Sequence, residues 1–97
     1  METSASVVTT EVEVELFGVP RLLVGRRSLR VRGRTTGEVV RALGEVAPSL
    51  VGPVIHPDTR WLVDAYTLVI DEEFSRDPRR ALREASSVLL VSSVAGG

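Results

Sequence analysis

The chain has 97 residues, 43 % of them hydrophobic and 26 % charged, and a formal net charge of −1. This composition is typical of one soluble globular domain, and its near balance of charge excludes the basic field that nucleic-acid binders use. Cysteine is absent, so the chain has no disulfide, thiolate nucleophile or thiolate metal site. Because no apolar run is long enough to span a bilayer and no signal segment opens the chain, we expect a cytoplasmic protein.

The first third of the chain predicts a loose leader and two paired strands. Residues 1–10 are small and polar without a period, and they precede a predicted domain over residues 11–91. Residues 11–17 and 27–32 alternate between polar and apolar side chains, which is typical of half-buried strands. Residues 18–26, between them, are predicted to form a break and a turn. In an antiparallel pair the outward glutamates would face the outward arginines. The side chains predicted to point into the core are Val12, Val14, Leu16, Leu29 and Val31.

A helix is predicted next. Thr35 and Glu38 fit a capping box, in which the Thr35 hydroxyl accepts from the Glu38 amide and the Glu38 carboxylate reaches back. Pro48 ends this helix, because the residue before a proline is disfavoured in the helical region. An apolar stripe at helical spacing lies between these signals. The stripe consists of Val39, Val40, Leu43, Val46 and Ala47.

The second half of the chain predicts the rest of a small sheet. Residues 50–64 form a long connection, and residues 66–71 read as a short strand that ends in a turn. Residues 74–82 are predicted to hold a short strand and a helical turn. Residues 87–92 are apolar on both faces, which suits a strand in the middle of a sheet. One helix on one face of a small mixed sheet predicts an α+β fold of the β-grasp kind.

The chain closes with Val94, Ala95, Gly96 and Gly97. Glycine has no Cβ, so its backbone can lie close against another surface or enter a narrow channel. We expect residues 92–97 to be an extended, flexible tail that reaches about 20 Å, at roughly 3.3–3.6 Å per residue. An unhindered carboxylate on such a tail suits activation by a partner enzyme. The alternative is a frayed end rich in small residues.

Five segments carry a family resemblance, and they are Val14–Gly18, Thr35–Val39, Tyr66–Ile70, Val88–Val91 and Val94–Gly97. Together they resemble the MoaD/ThiS family of sulfur carriers, which are ubiquitin-like β-grasp proteins. The resemblance covers residues 11–97, and its specific part is the closing Val-Ala-Gly-Gly. In length the chain is similar to the small subunit of molybdopterin synthase and to sulfur carriers of cysteine and natural-product pathways.

The resemblance implies a chemistry for Gly97. A ubiquitin-activating-type adenylyltransferase would adenylate the Gly97 carboxylate with ATP and Mg²⁺, and sulfur transfer would then give a thiocarboxylate. The chain would be a carrier and co-substrate that binds no cofactor and is not an enzyme by itself. Its second partner would be a sulfur-accepting enzyme or a large catalytic subunit, with no nucleic acid and no membrane involved. Two alternatives stay open: the small subunit of molybdopterin synthase, and a ubiquitin-like modifier or interaction module.

The sequence departs from the family pattern at two places. Relatives often have two prolines, or a proline and a small residue, where this chain has Ser92 and Ser93. They usually place an Asp-Gly turn before the last strand, where this chain has residues 84–86. We expect the serines to loosen a tail that prolines hold extended.

A docking surface is predicted from apolar residues on the outward side of the strands. The candidates are Phe17, Val69, Leu89 and Val91. An exposed apolar patch on a small sheet usually marks a partner site. For Phe17, the alternative is a cap on the edge of the core near Pro20 and Trp61.

The remaining polar and aromatic residues of the second half are predicted to have structural roles. His56, Asp58 and Asp64 fit no metal-binding spacing, so no metal site is expected. Trp61 and Tyr66 are predicted to be lids on the core. Four arginines in the second half are predicted to form a solvated face, with an anion site as the alternative. They are Arg76, Arg79, Arg80 and Arg83.

Overall fold

The computed structural model describes residues 10–93, and in this part of the chain five strands form one mixed sheet with two helices. The strand order is β2-β1-β5-β3-β4. The strands are β1 (Glu11–Leu16), β2 (Ser28–Arg32), β3 (Tyr66–Ile70), β4 (Glu73–Ser75) and β5 (Val88–Ser92). The helices are α1 (Val19–Val24) and α2 (Thr36–Val46), and a 3₁₀ turn covers Pro48–Leu50.

The last strand lies in the middle of the sheet, as its two apolar faces predict. β5 runs parallel to β1 and antiparallel to β3. Val88 and Leu90 are buried on the core side, whereas Leu89 and Val91 are half-buried on the other side. The mixed sheet, its strand order and the main helix confirm the predicted α+β β-grasp arrangement.

The main helix begins with the predicted cap. Thr35 Oγ1 accepts a hydrogen bond from the Glu38 amide at 3.2 Å. Glu38 Oε1 accepts from the Arg34 amide at 2.7 Å, one residue earlier than in an ideal capping box. The helix ends at Val46, immediately before the Ala47–Pro48 step, as predicted.

The predicted burial of the apolar stripe is wrong for one residue. Val39, Val40, Leu43 and Ala47 are buried, but Val46 is 57 % exposed. The buried side of the helix is rotated so that it includes Gly44. Val46 lies on the opposite margin of that side and is left in solvent.

Helix α1 occupies a segment that was expected to hold only a break and a turn. Pro20 lies in its first turn and is buried, and Gly25 follows its last residue with a left-handed φ of 79°. The Gly25 amide donates to the Arg21 carbonyl at 2.8 Å. Proline at the start and glycine after the end are ordinary helix signals. They were missed because three of the four residues between them are apolar, so the segment shows no alternation of polar and apolar faces.

The long connection after α2 contributes to the core. Val54, Ile55 and Leu62 are buried, and Trp61 and Tyr66 are half-buried and pack against the core as predicted. The helical turn expected within residues 74–82 does not form. β4 is followed there by a turn in which the Arg80 amide donates to the Asp77 carbonyl at 3.2 Å. No helix within residues 10–93 has the length and apolarity needed to cross a membrane.

Candidate docking surface and C-terminal segment

The chain leaves the sheet through β5, and its last described residues are held by hydrogen bonds. Ser92 is the final residue of β5 and pairs with Tyr66. The Ser93 amide donates to the Ala65 carbonyl at 2.7 Å, and its hydroxyl donates to the Asp64 carbonyl at 2.6 Å. The body of the protein therefore continues to Ser93, two residues beyond the predicted domain boundary.

The serines in place of prolines have a structural use. A proline at position 93 would lack the amide that donates to Ala65 and the hydroxyl that donates to Asp64. Ser93 thus aligns the end of the strand by hydrogen bonding. Val94, Ala95, Gly96 and Gly97 lie outside the described residues. The expected tail and the role of Gly97 therefore stay predictions.

A row of side chains crosses the face of the sheet that is turned away from α2. Glu15 of β1 lies beside Leu89 of β5, and Leu89 lies opposite Val69 of β3. Val69 in turn lies opposite Phe74 of β4, whose side chain is 75 % exposed. The row changes from charged at β1 to apolar at β5, β3 and β4.

The apolar part of this face is the candidate docking surface. We call it the sheet patch, and it consists of Val69, Phe74, Leu89 and Val91. Val91 lies opposite Thr67, whose hydroxyl is bonded to the backbone of β4. Three of the four members follow from strand alternation in the sequence. The register brings them together across three adjacent strands.

Phe74 is the member that strand alternation in the sequence does not predict. It lies opposite Val69 because a two-residue turn, Asp71 and Glu72, joins β3 to β4. Both turn residues have left-handed φ values, 50° and 74°, as in tight hairpins. The sequence predicts a turn after this strand, but it carries no glycine or asparagine that would mark a two-residue hairpin. A hairpin register counted from Asp71 would have found Phe74.

Phe17 lies one residue beyond β1, at the end of the sheet from which β5 leaves. Its side chain is 42 % exposed, so much of the ring faces solvent. Pro20, its proposed partner in a core-edge cap, is buried. The exposure favours the outward position predicted by alternation, and the docking role stays a prediction.

The other half of the same face is a ladder of charges. The Arg30 guanidinium lies 3.8 Å from the Glu11 carboxylate, and the Ser28 hydroxyl donates to Glu13 at 2.6 Å. These contacts confirm the predicted antiparallel pairing of outward glutamates with outward arginines. The cross-strand pairs are Glu11–Arg32, Glu13–Arg30 and Glu15–Ser28.

Arg76, the residue after β4, forms hydrogen bonds to the connection that precedes β3. Its guanidinium donates to the carbonyls of Leu62 at 3.2 Å and Val63 at 3.3 Å, and also to the carbonyl of Tyr66. The Asp64 carboxylate lies 3.8 Å away. A planar guanidinium suits such multiple carbonyl contacts. Arg76 is therefore a structural clamp.

Two more arginines of the same group are engaged within the protein. Arg80 pairs with Glu73 at 3.1 Å and donates to the Ile70 carbonyl at 3.4 Å. Arg83 lies 3.9 Å from the Asp71 carboxylate. These contacts fix the turn and the returning chain, so they do not leave an open cluster for an anion. No group of three or more potential metal-ligating side chains occurs in the described part of the chain.

No family model matches the chain, and no curated protein matches it by sequence. Solved structures do resemble it. SAMP1 from Haloferax volcanii is 26 % identical over 90 % of this chain and 99 % of its own, with a TM-score of 0.76. The two proteins thus share one fold over nearly the whole of both chains.

Two further neighbours come from protein complexes. A chain of the BexX/CysO complex from Amycolatopsis orientalis is 16 % identical, over 88 % of this chain and 98 % of its own, with a TM-score of 0.70. A chain of the complex of subunits 1 and 2 of the molybdopterin-converting factor from Helicobacter pylori is 17 % identical, over 91 % and 100 %, with a TM-score of 0.59. At these identities the likeness shows the fold alone.

SAMP1 is named a small archaeal modifier protein, and the other two neighbours were each solved in a complex with another protein. Together with the β-grasp topology, these neighbours are consistent with the MoaD/ThiS ubiquitin-like sulfur-carrier family, as the resemblance in the sequence predicts.

Proposed function

We propose that the protein is a sulfur carrier whose Gly97 carboxylate is adenylated by a ubiquitin-activating-type enzyme and converted to a thiocarboxylate. One observation carries the proposal: the central strand β5 leads, through the anchored residue Ser93, directly into a segment that closes with two glycines. The strand holds the start of this segment at a fixed place on a rigid body. Such a body can dock outside an enzyme while the glycines enter its channel.

The chemistry needs an outside enzyme. A carboxylate at neutral pH is a poor electrophile because its delocalised negative charge repels nucleophiles. Transfer of AMP from ATP to the Gly97 carboxylate, with release of pyrophosphate, gives a mixed anhydride whose carbonyl is open to attack. Mg²⁺ and cationic groups of the partner offset the phosphate charge in that step. Hydrosulfide then attacks this carbonyl, so that a C–S bond forms as the bond to AMP breaks, and the thiocarboxylate remains.

The sheet patch is the proposed docking surface for this chemistry. Apolar side chains that cluster on an exposed sheet face supply the buried centre that protein interfaces need. Phe74 is the most exposed member of the patch, at 75 %. The glutamates and arginines of β1 and β2 form a polar border on one side of the patch.

Two other functions have a specific observation in their favour. SAMP1 is named a small archaeal modifier protein, which favours a modifier that is conjugated through its C-terminus. The molybdopterin-converting factor subunits form a complex with each other, which favours a small subunit of a two-protein enzyme. All three functions use the same carboxylate and differ in the product.

Intact-mass spectrometry distinguishes the three functions. The full chain is incubated with ATP, Mg²⁺, a sulfide donor and an adenylyltransferase of the ubiquitin-activating type from the same organism. A carrier gains the mass difference between one sulfur and one oxygen atom, and tandem spectra place it on Gly97. High-mass products linked through Gly97 would indicate a modifier, and a stable heteromer with a large subunit would indicate a synthase. An unchanged mass and no exchange of pyrophosphate into ATP would overturn the proposal.

A further inference from the structure

Helix α1 exposes an apolar face that no described element covers. Val19, Leu22 and Leu23 are spaced three and four residues apart, so their side chains lie on one side of the helix. Their exposed fractions are 49 %, 80 % and 37 %. The opposite side carries the buried Pro20 and packs against the 3₁₀ turn after α2. The Ser49 hydroxyl fastens this contact by donating to the Leu23 carbonyl at 3.1 Å.

The charged residues of the segment that forms this face have one sign. Between Phe17 and Arg34 every charged residue is an arginine. Within residues 10–93, Arg21, Arg26 and Arg27 form no ion pair with a carboxylate. We call Val19, Leu22, Leu23 and these three arginines the α1 surface. An apolar centre with three arginines beside it fits a partner surface that carries carboxylates around an apolar pocket.

The α1 surface lies at the end of the sheet from which the chain leaves. β1 and β5 are parallel, and Leu16 at the end of β1 pairs with Leu90 of β5. Helix α1 begins three residues after Leu16, so it lies beside the end at which β5 passes into Ser93.

The short length of the remaining chain places the reacting Gly97 carboxylate near the α1 surface. Only four residues separate Ser93 from the end of the sequence, and they span at most about 14 Å at 3.3–3.6 Å per residue. Any enzyme that acts on the Gly97 carboxylate must therefore approach this end of the body closely. It meets the α1 surface as it does so.

We propose that the α1 surface is a second docking site, distinct from the sheet patch, for the adenylyltransferase that activates Gly97. The proposal rests on the proposed function. The adenylyltransferase presents an apolar pocket that takes Leu22, and carboxylates around the pocket face the three arginines. The sheet patch and the α1 surface then hold the carrier from two sides of the exit of β5.

Steady-state pyrophosphate exchange, measured against carrier concentration, tests this. The variants are Leu22→Ser and Arg21→Glu, and the control is Arg79→Glu, which makes the same charge change at an exposed arginine outside the α1 surface. Leu22→Ser is expected to raise KM about tenfold with kcat within twofold of the parent, because a docking contact acts on binding. Arg21→Glu is expected to raise KM at low salt, with a smaller effect at high salt. Circular dichroism confirms that each variant is folded.

The outcomes separate the two proposals. If the unmodified chain supports exchange but both α1 variants keep its KM within twofold, the α1 site is overturned and the carrier function stands. The same conclusion follows if Arg79→Glu raises KM as much as Arg21→Glu, since the effect is then one of net charge. If the unmodified chain gives no exchange, the carrier function fails and the α1 site fails with it.

Discussion

Val69 and Leu89 lie opposite each other on β3 and β5, and both side chains are half-buried on the face of the sheet turned away from α2. Leu89 is also the β5 neighbour of Glu15, so this pair stands at the border between the charged and apolar halves of that face. An aliphatic pair at such a border can be covered by a partner without burying the adjacent carboxylates. This favours docking over the side of the sheet that holds β3, β4 and β5.

Removing the most exposed member of the sheet patch tests its docking role. Phe74→Ser is expected to raise the KM of the adenylyltransferase for the carrier about tenfold, because interface energy concentrates in a few aromatic anchors. The free energy of unfolding should change by no more than about 0.5 kcal/mol, since the ring packs little in the free protein. Urea denaturation and exchange kinetics provide the two readouts.

Val46→Ser is the control for that experiment. Val46 is also an exposed aliphatic residue, but it lies at the end of α2 and not on the sheet patch. Its KM should match that of the parent chain. Equal effects of Phe74→Ser and Val46→Ser would show that the sheet patch has no special role.

The terminal glycine is expected to tolerate no side chain. Gly97→Ala should slow adenylation by about 10²-fold, because a methyl group beside the carboxylate displaces the reacting carbonyl in a narrow channel. Deletion of Gly97 should abolish pyrophosphate exchange. Normal turnover by the deletion variant would contradict the assignment of Gly97 as the activated residue.

The central strand is expected to dominate stability. Leu90 is fully buried in the middle of the sheet, and Leu90→Ala should lower the free energy of unfolding by about 2–5 kcal/mol. Leu22→Ala removes the same atoms from an 80 % exposed side chain. This variant should change the free energy of unfolding by no more than about 0.5 kcal/mol. The midpoints of urea unfolding measure both changes. Similar losses in the two variants would argue against the burial of Leu90.

The cap of α2 offers a test at one atom. Thr35→Ala removes the hydroxyl that accepts from the Glu38 amide and should cost about 1 kcal/mol of stability. Thr35→Ser keeps an acceptor at the same place and should retain most of that stability. Thermal unfolding followed by circular dichroism distinguishes them. A serine variant as unstable as the alanine variant would show that the methyl group matters, and not the hydrogen bond.

The Arg76 clamp is expected to require a guanidinium. Arg76→Lys keeps the charge but offers no planar fork to the three carbonyls, so it should destabilise the protein by about 1–3 kcal/mol. Arg79→Lys is the matched control, because the Arg79 side chain has no contact of this kind within residues 10–93. If both lysine variants unfold at the same urea concentration, the clamp does not stabilise the fold.

Local patterns predicted the regular elements because each pattern reflects one physical period. The alternation in β1 follows from side chains that point to opposite faces of a strand, and the Thr35 cap follows from unsatisfied amides at a helix start. The apolar character of both faces of β5 predicted its central position. Helix α1 was missed, because a short helix that is apolar on its exposed side carries no periodic signal.

The sequence by itself determined the order of the strands and the main helix, the cap of that helix and the closing diglycine, since each of these depends on neighbouring residues. Only the tertiary structure decided that Phe74 joins Val69, Leu89 and Val91, and that α1 lies beside the exit of β5. Both results depend on strand register and on the parallel pairing of β1 with β5. Register and pairing are set by packing between segments that lie far apart in the chain, so no local pattern contains them.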